Sequence, residues 1–304
     1  MAYNVSALPA YTKQDAKRLL NEQLFEGGET LPFMQIRPGV KSAETLDVVA
    51  TEGVWQAQAC SFSASGDTTF TRRTLTVGKI QIAQQWCEQD LEPYFLQAEM
   101  KAGGSYDSLT FNEQIIGETM AKVRKRVETA IWMGDLQSTD AYLKHFDGLV
   151  DIINAASIGG TYSGTAWSQA SSRTVMLGLA ALVVANPNIK QEDIKFFCSP
   201  VTLQQYRWKL MADNLYHNAG TDAKMYVEGT NIEIVPVNGL STATAGSIFA
   251  IEPNNMYLGT DMTGEYEDYK VWFSDDDQVI KFLTRFKMGV QVPFPSRIYK
   301  YLGV

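Results

Sequence analysis

The most regular pattern in the chain lies near its end. From Val279 to Val292, the residues Ile280, Phe282, Phe286, Met288, Val290 and Val292 fall on even positions, while Lys281, Arg285, Lys287 and Gln291 fall on odd ones. A period of two with one apolar side predicts a half-buried strand with one wet face. Pro293 and Pro295 bend the chain after it, and Ile298 to Leu302 reads as a closing strand. A different period governs Phe111 to Asp135. There Phe111, Ile115, Met120 (or Thr119), Val123, Val127 and Ile131 form one stripe at helical spacing. No proline interrupts it, and Lys122, Arg124, Lys125 and Arg126 make its back basic. A helix from about Ser108 to Met133 would be about 38 Å long at 1.5 Å per residue. That is about twice the usual helix length, so it should cross a whole domain as a spine. Asp107 or Ser108 suits its N-cap and Gly134 its C-cap.

The segments before this helix are thin in apolar residues. Residues 1–30 are polar with a short amphipathic helix (Leu19, Leu20, Phe25) that Gly27-Gly28 ends, and they read as an arm. Leu31 to Val40 reads as extended and proline-punctuated. Few bulky apolar residues occur between Lys41 and Thr69, and SFSASGDTT reads as a turn. Alternation then begins at Phe70, and the Thr, Val and Ile bias through Ile82 says strand. Together these make a long two-stranded ribbon. Such a ribbon is marginal alone in water, so its cover could be another copy of the chain; the rival reading is a disordered surface loop. Trp86, Leu91, Tyr94, Phe95 and Leu96 read as core.

After the spine the chain alternates. Gly148 to Ser172, rich in Gly, Ser, Thr and Ala, predicts loops and short strands. Arg173 to Ala185 reads as an apolar helix stopped by Asn186-Pro187. Ile194 to Cys198 is a short buried strand, and Ser199-Pro200 opens a helix to about Leu215. Asn231–Val237, Ser247–Ile251 and Met256–Leu258 read as strands. Such alternation suits a mixed α/β body.

Composition narrows the chemistry. The chain has 304 residues and a formal charge of −8, which suggests two domains or one large one and argues against a dedicated nucleic-acid binder. No apolar run reaches membrane-span length, and the first residues carry no signal pattern, so a cytoplasmic origin is expected. Cys60, Cys87 and Cys198 form no disulfide framework or metal pair. His145 and His217 sit beside no nucleophile motif. Gly159 and Gly164 have the P-loop spacing, but Thr165-Ala166 stands where a Lys is needed. Asp275-Asp276-Asp277 lacks the alternating ligands of a calcium loop and reads as a turn. Asp261, Glu265, Glu267 and Asp268 form an acidic stretch, either a solvated face or a surface toward a basic neighbour. Neither catalytic residues nor a cofactor are expected. The profile is that of a subunit built to contact copies of itself.

The order of these pieces resembles the major capsid protein of tailed bacteriophages, the HK97-like fold shared with encapsulins and herpesvirus capsid floors. The resemblance is architectural and spans about Leu31 to Leu302. TFTRRTLTVGKIQIAQQW is similar to the strand leaving the family's extended loop. FNEQIIGETMAKVRKRVETAIWMGD resembles its spine helix, and HFDGLV the family's next segment. KFFCSPVTLQQYRWKL and IEIVPVNGL resemble axial-domain elements, and DDDQVIKFLTRFKMGVQVPFPSRIYKY the long return strand.

This resemblance implies an α+β chain in four parts. These are an N-terminal arm (1–40), an extended loop (41–78), a peripheral domain (79–146 and 270–304) with a spine helix at about 108–133, and an axial domain (147–269). It implies self-assembly into hexamers and pentamers of an icosahedral head enclosing double-stranded DNA, contacted without sequence preference, and a place in the virion after assembly in the host cytoplasm. A portal, decoration proteins and a separate scaffold protein are the implied partners; too few residues precede the loop for a fused scaffold, so either one was cleaved or, as the Met1 start favours, a separate protein serves. Arg72, Arg73, Lys122, Arg124, Lys125 and Arg126 are the expected inter-subunit cations, and Glu265, Glu267 and Asp268 their partners. Lys41 and Lys79 flank the loop, but nothing identifies a crosslinking partner. An encapsulin shell, an α/β enzyme with an unrecognised site, and a tail-tube subunit are the competing readings.

Overall fold

The computed structural model describes residues 28–51, 54–57, 66–87, 108–187, 189–215, 224–243, 246–261, 270–274, 276–277 and 279–303, with the long helix's side chains described from 117 onward. The expected arm helix, the core residues Leu91 to Leu96, His217 and Cys60 lie outside them.

The spine is α1, Ser108–Met133. Its stripe is buried as the spacing requires: Met120 and Ile131 are fully covered, with Val123 and Val127 beside them. Phe111 and Ile115 precede the described side chains. Gly134 comes directly after α1, but not as a left-handed cap, since it is not among the glycines with positive φ. It is needed for closeness. A Cβ there would stand 2.5 Å from the Phe146 carbonyl, and one at Gly148 would stand 2.5 Å from the Gly134 nitrogen. The two backbones are joined directly, with Gly148 N–H donating to the Gly134 carbonyl at 2.8 Å.

That contact launches α2, Leu149–Ala155, where loops and short strands were expected. Leu149 and Ile153 are buried one turn apart against α1. The loops and short strands expected of a small-residue tract begin only beyond Ala155, and β5, Gly160–Tyr162, is one of them. The next two helices, α3 (Ser172–Val184) and α4 (Pro200–Ala212), lie close to their expected spans. Ser199 caps α4, its hydroxyl accepting from the Thr202 N–H with Pro200 in the first turn.

Two sheets organise the body. In one, β1 (Gln35–Pro38), β10 (Tyr257–Thr260) and β11 (Lys270–Ser274) gather with β4 (Gly78–Trp86) around the 13-residue β12, Val279–Gln291. Residues 280–283 of β12 pair with both β4 and β11, so these two take opposite edges. The even positions of β12 are all buried, Thr284 included, as alternation demands. A 3-10 turn at Leu31–Phe33 precedes β1, where extended chain was expected.

The second sheet has six strands in the order β5, β13 (Tyr299–Tyr301), β9 (Ile248–Ile251), β6 (Lys195–Cys198), β8 (Glu233–Pro236) and β7 (Met225–Tyr226). Its middle is covered on both sides. Phe197, Phe249 and Ile251 join the core around α1, whereas Phe196, Cys198, Ile248 and Ala250 join the core under α3 and α4. Double cover explains why β9, IFAI, is buried throughout and shows no alternation.

Sheet membership differs at three places from the division drawn on sequence. Gln35–Pro38, assigned to the arm 1–40, is a strand of the first sheet and pairs with β10. Tyr257–Thr260 pairs with β1 and β12, not with the strands of 147–269. Tyr299–Tyr301 pairs with β5 and β9, not with the strands of 270–304. The chain crosses between the two sheets by turns of only three residues, at Pro253–Asn255 and Pro295–Arg297.

Candidate subunit interface

The ribbon is β2 (Ala43–Thr51) and β3 (Thr68–Thr76), paired antiparallel from Ala43 opposite Thr76 to Thr51 opposite Thr68. It forms a sheet of its own. Its root is packed: Leu75 is fully buried with Val40, Leu46, Val77 and Tyr257 in a small core. The root also fits tightly against β12. A Cβ at Gly289 would stand 2.0 Å from the Thr76 carbonyl oxygen, and Gln291 Nε2 donates to the Thr74 carbonyl at 2.7 Å.

Beyond the root the two faces diverge. Leu46, Val48 and Leu75 are buried on one face. On the other face, Thr45, Asp47, Val49 and Thr51 with Phe70, Arg72 and Thr74 are all exposed. Val49 lies directly opposite Phe70, and the two are 53% and 73% exposed. Near the tip Val54 is exposed and Trp55 is 97% exposed. The charge-based reading of the ribbon missed these four side chains. The signal was present: Val49 and Phe70 fall on the face opposite to Leu46, Val48 and Leu75, so the ribbon is apolar on both sides.

The expected cations are placed unevenly. Arg72 bonds to Asp47 across the ribbon at 2.9 Å, with side chains 78% and 64% exposed. Its charge is therefore answered within its own ribbon, and weakly in that solvent. Arg73 is half-buried opposite Leu46 on the other face. On α1, Lys122 and Lys125 are exposed and have no ion-pair partner among the described residues. Arg126 stacks its guanidinium 3.8 Å from the centre of the Tyr142 ring, a cation–π contact, and Arg124 is half-buried. The four basic residues thus do not form one uniform patch. Glu265, Glu267 and Asp268 lie outside the described residues, so the structure brings no pair of them together with the basic residues.

Other charged groups serve the body. Lys287 meets Asp261 at 2.6 Å with side chains 16% and 8% exposed. The Asp277 carboxyl is held below the usual range by its bond from Lys281, in the turn expected before β12. Cys198 is fully buried and its thiol is pushed up to about 12, which leaves it inert. Among the described residues the His145 ring hydrogen-bonds to the Ala141 carbonyl alone, at 3.1 Å. Among the described residues, no three His, Cys, Asp or Glu side chains gather to hold a metal, and no helix is long and apolar enough to cross a membrane.

No protein-family model matches the sequence, and no curated protein matches it. Solved structures do. The chain is similar to the capsid of the native GTA particle, at 15% identity and a TM-score of 0.58, with 90% of this chain and 89% of that one covered. It is similar to the capsid of Myoviridae phage XM1, at 11% identity and 0.56, with 90% of each covered. It is similar to a chain of the satellite phage P4 procapsid that includes the size-determination protein Sid, at 10% identity and 0.54, covering 100% of this chain and 91% of that one. The chain has the fold of a phage capsid protein. Here that fold consists of an α+β body and a two-stranded ribbon that leaves it.

Proposed function

We propose that the protein is a major capsid protein, whose copies associate as hexamers and pentamers into an icosahedral phage head that encloses double-stranded DNA. The observation that carries this is the ribbon. A firmly rooted two-stranded element presents a wholly exposed face with Val49 and Phe70 at its centre and Trp55 near its tip. Exposed apolar clusters of this kind mark interaction sites, and a capsid fold offers a neighbouring copy as the cover.

The division into parts accords with that reading. Residues 1–40 are the arm and 41–78 the extended loop. Residues 79–146 and 270–304 form the peripheral domain around α1, and 147–269 the axial domain. Gln35–Pro38 of the arm and Tyr257–Thr260 are lent to the peripheral sheet, and Tyr299–Tyr301 to the axial sheet. Lys122, Arg124, Lys125 and Arg126 face a neighbour or the packaged genome, with Arg72 and Arg73 at the loop and Glu265, Glu267 and Asp268 as acidic partners. A scaffold, a portal and decoration proteins would act with this chain in the host cytoplasm, and the virion is its final place.

The test is electron microscopy with light scattering on the full chain, expressed alone and with a neighbouring scaffold gene. Closed shells or capsomer rings are expected, and particles holding nucleic acid separate a phage head from an enzyme-filled compartment. A stable monomer or dimer under every condition would overturn the reading.

A further inference from the structure

Among the described side chains of the spine one carboxylate is buried, and neither assembly nor the core explains it. Glu128 lies on α1 at 6% exposure. One of its oxygens accepts from the Thr30 N–H at 3.1 Å and from the Thr30 hydroxyl. The Thr30 hydroxyl in turn accepts from Trp132 Nε1 at 2.7 Å. The other Glu128 oxygen is buried with no hydrogen-bond partner. No cation among the described residues answers this group. Burial pushes its carboxyl above the usual range against the Thr30 bond, and the charge of Glu29 adds to the rise.

The surroundings close the site from each side. A Cβ at Gly28 would stand 3.1 Å from the unpartnered oxygen, so the 28–30 backbone lies against it. A Cβ at Gly239 would stand 2.5 Å from the Glu128 carbonyl, so the Asn238–Leu240 turn closes the helix beside it. Glu29 reaches that same turn, where Asn238 donates to it from both its backbone and its side-chain nitrogen. Neither that turn nor Leu31–Phe33 contains an ionisable residue. Arg124 stands one turn back on α1, half-buried. Lys195 stands 5.3 Å from the Phe33 ring centre, but its charge is paired with Glu233. On α2, the charges that act on Asp151 are Asp147 and Asp135.

We infer that Thr30, Glu128 and Trp132 form a proton-controlled latch, which docks the backbone of residues 28–30 on the spine when Glu128 is neutral and loosens it when Glu128 ionises. The physical reason is the lone oxygen. A neutral carboxyl keeps the two Thr30 bonds and leaves one weakly polar atom dry. An ionised one leaves a full charge in a site that offers neutral donors only and, among the described residues, no cation, which is far costlier. The docked state holds its proton more tightly than the open state. Its advantage is therefore full at acid pH and lost as pH rises through the docked-state pKa. The latch concerns the subunit itself and does not depend on shell formation.

Hydrogen–deuterium exchange of a peptide covering residues 28–34, in the full chain from pH 5 to 8, tests this. Rates are divided by the intrinsic exchange rate at each pH. Protection should fall several-fold as pH rises. Glu128→Gln, which cannot ionise, should give a flat profile. Thr30→Val should lower protection at every pH while keeping the slope. A flat wild-type profile, or an E128Q profile with the wild-type slope, would overturn the latch. Should E128Q fail to fold, Glu29→Gln removes the neighbouring charge and should move the loss to lower pH; an unmoved midpoint would overturn it equally.

Discussion

Replacing Phe70 by Ser separates folding from association, because the side chain is a surface group in the isolated subunit. Phe70 is 73% exposed and its cross-strand partner Val49 is 53% exposed. Neither packs into the small core at the ribbon's root, which is built from Val40, Leu46, Leu75 and Val77. Surface changes of this kind shift stability by about ±0.5 kcal/mol, so the melting temperature of the free subunit should barely move. Association is different. Fully burying a Phe side chain is favourable by about 1.5–3 kcal/mol, and about three-quarters of this one remains to be covered. Losing it should cost about 1–2 kcal/mol per ribbon, a five- to thirty-fold weaker contact at about 1.4 kcal/mol per decade. A shell repeats that loss at every copy, so the concentration at which particles form should rise at least that much. Light scattering against concentration, with thermal melts on the same samples, reads both quantities. If Phe70→Ser assembled like the wild type while melting like it, the exposed face of the ribbon would not be an interface. If it melted many degrees lower, Phe70 would be part of the subunit's own core and not a surface group.

Three further outcomes probe the framework that holds the ribbon and the return strand. Leu75→Ala empties the fully buried centre of the root cluster; it should cost about 2.7–5 kcal/mol in urea unfolding, and a loss below about 1 kcal/mol would mean the root is not packed. Gly289→Ala puts a methyl 2.0 Å from the Thr76 carbonyl, a backbone contact that no rotamer relieves, so the ribbon should undock and Thr76–Gly78 become accessible to protease. Lys287→Met strands the buried Asp261 carboxylate and should cost about 3–5 kcal/mol at pH 7; the double variant with Asp261→Asn should recover most of it, and equal losses in the two would show that the pair is not coupled.

The elements whose full length could be read from a period are those whose burial is one-sided, whereas the doubly covered β6 and β9 were read from short apolar runs. The stripe of α1 and the alternation of β12 each face one core, so the period survives in the residues themselves. The readings that failed had physical causes of two kinds. The helix α2 was hidden because it spans only seven residues and sits beside a long Gly, Ser and Ala tract. The swap of β10 and β13 between sheets was hidden because strand pairing is a long-range choice. Tyr299 meets Ala250 and Gly160, far away in sequence, and nothing in YKY states which partner it takes.

The candidate interface divided along the same line. Charge was conspicuous in the sequence, and it drew attention to Arg72 and the basic run of α1. In the folded chain Arg72 is paired within its ribbon and Arg126 is stacked on Tyr142. The apolar side chains of the ribbon looked too few to matter. Their register makes them matter, because Val49 and Phe70 oppose one another on the face that no described residue of the subunit covers. Exposed ion pairs contribute little and are screened by salt, whereas a Phe that leaves water contributes whatever the ionic strength. Association through this face should therefore weaken far less between low and high salt than association through Lys122 and Lys125 would. A steep loss of particles with added salt would return the weight of the interface to those basic residues.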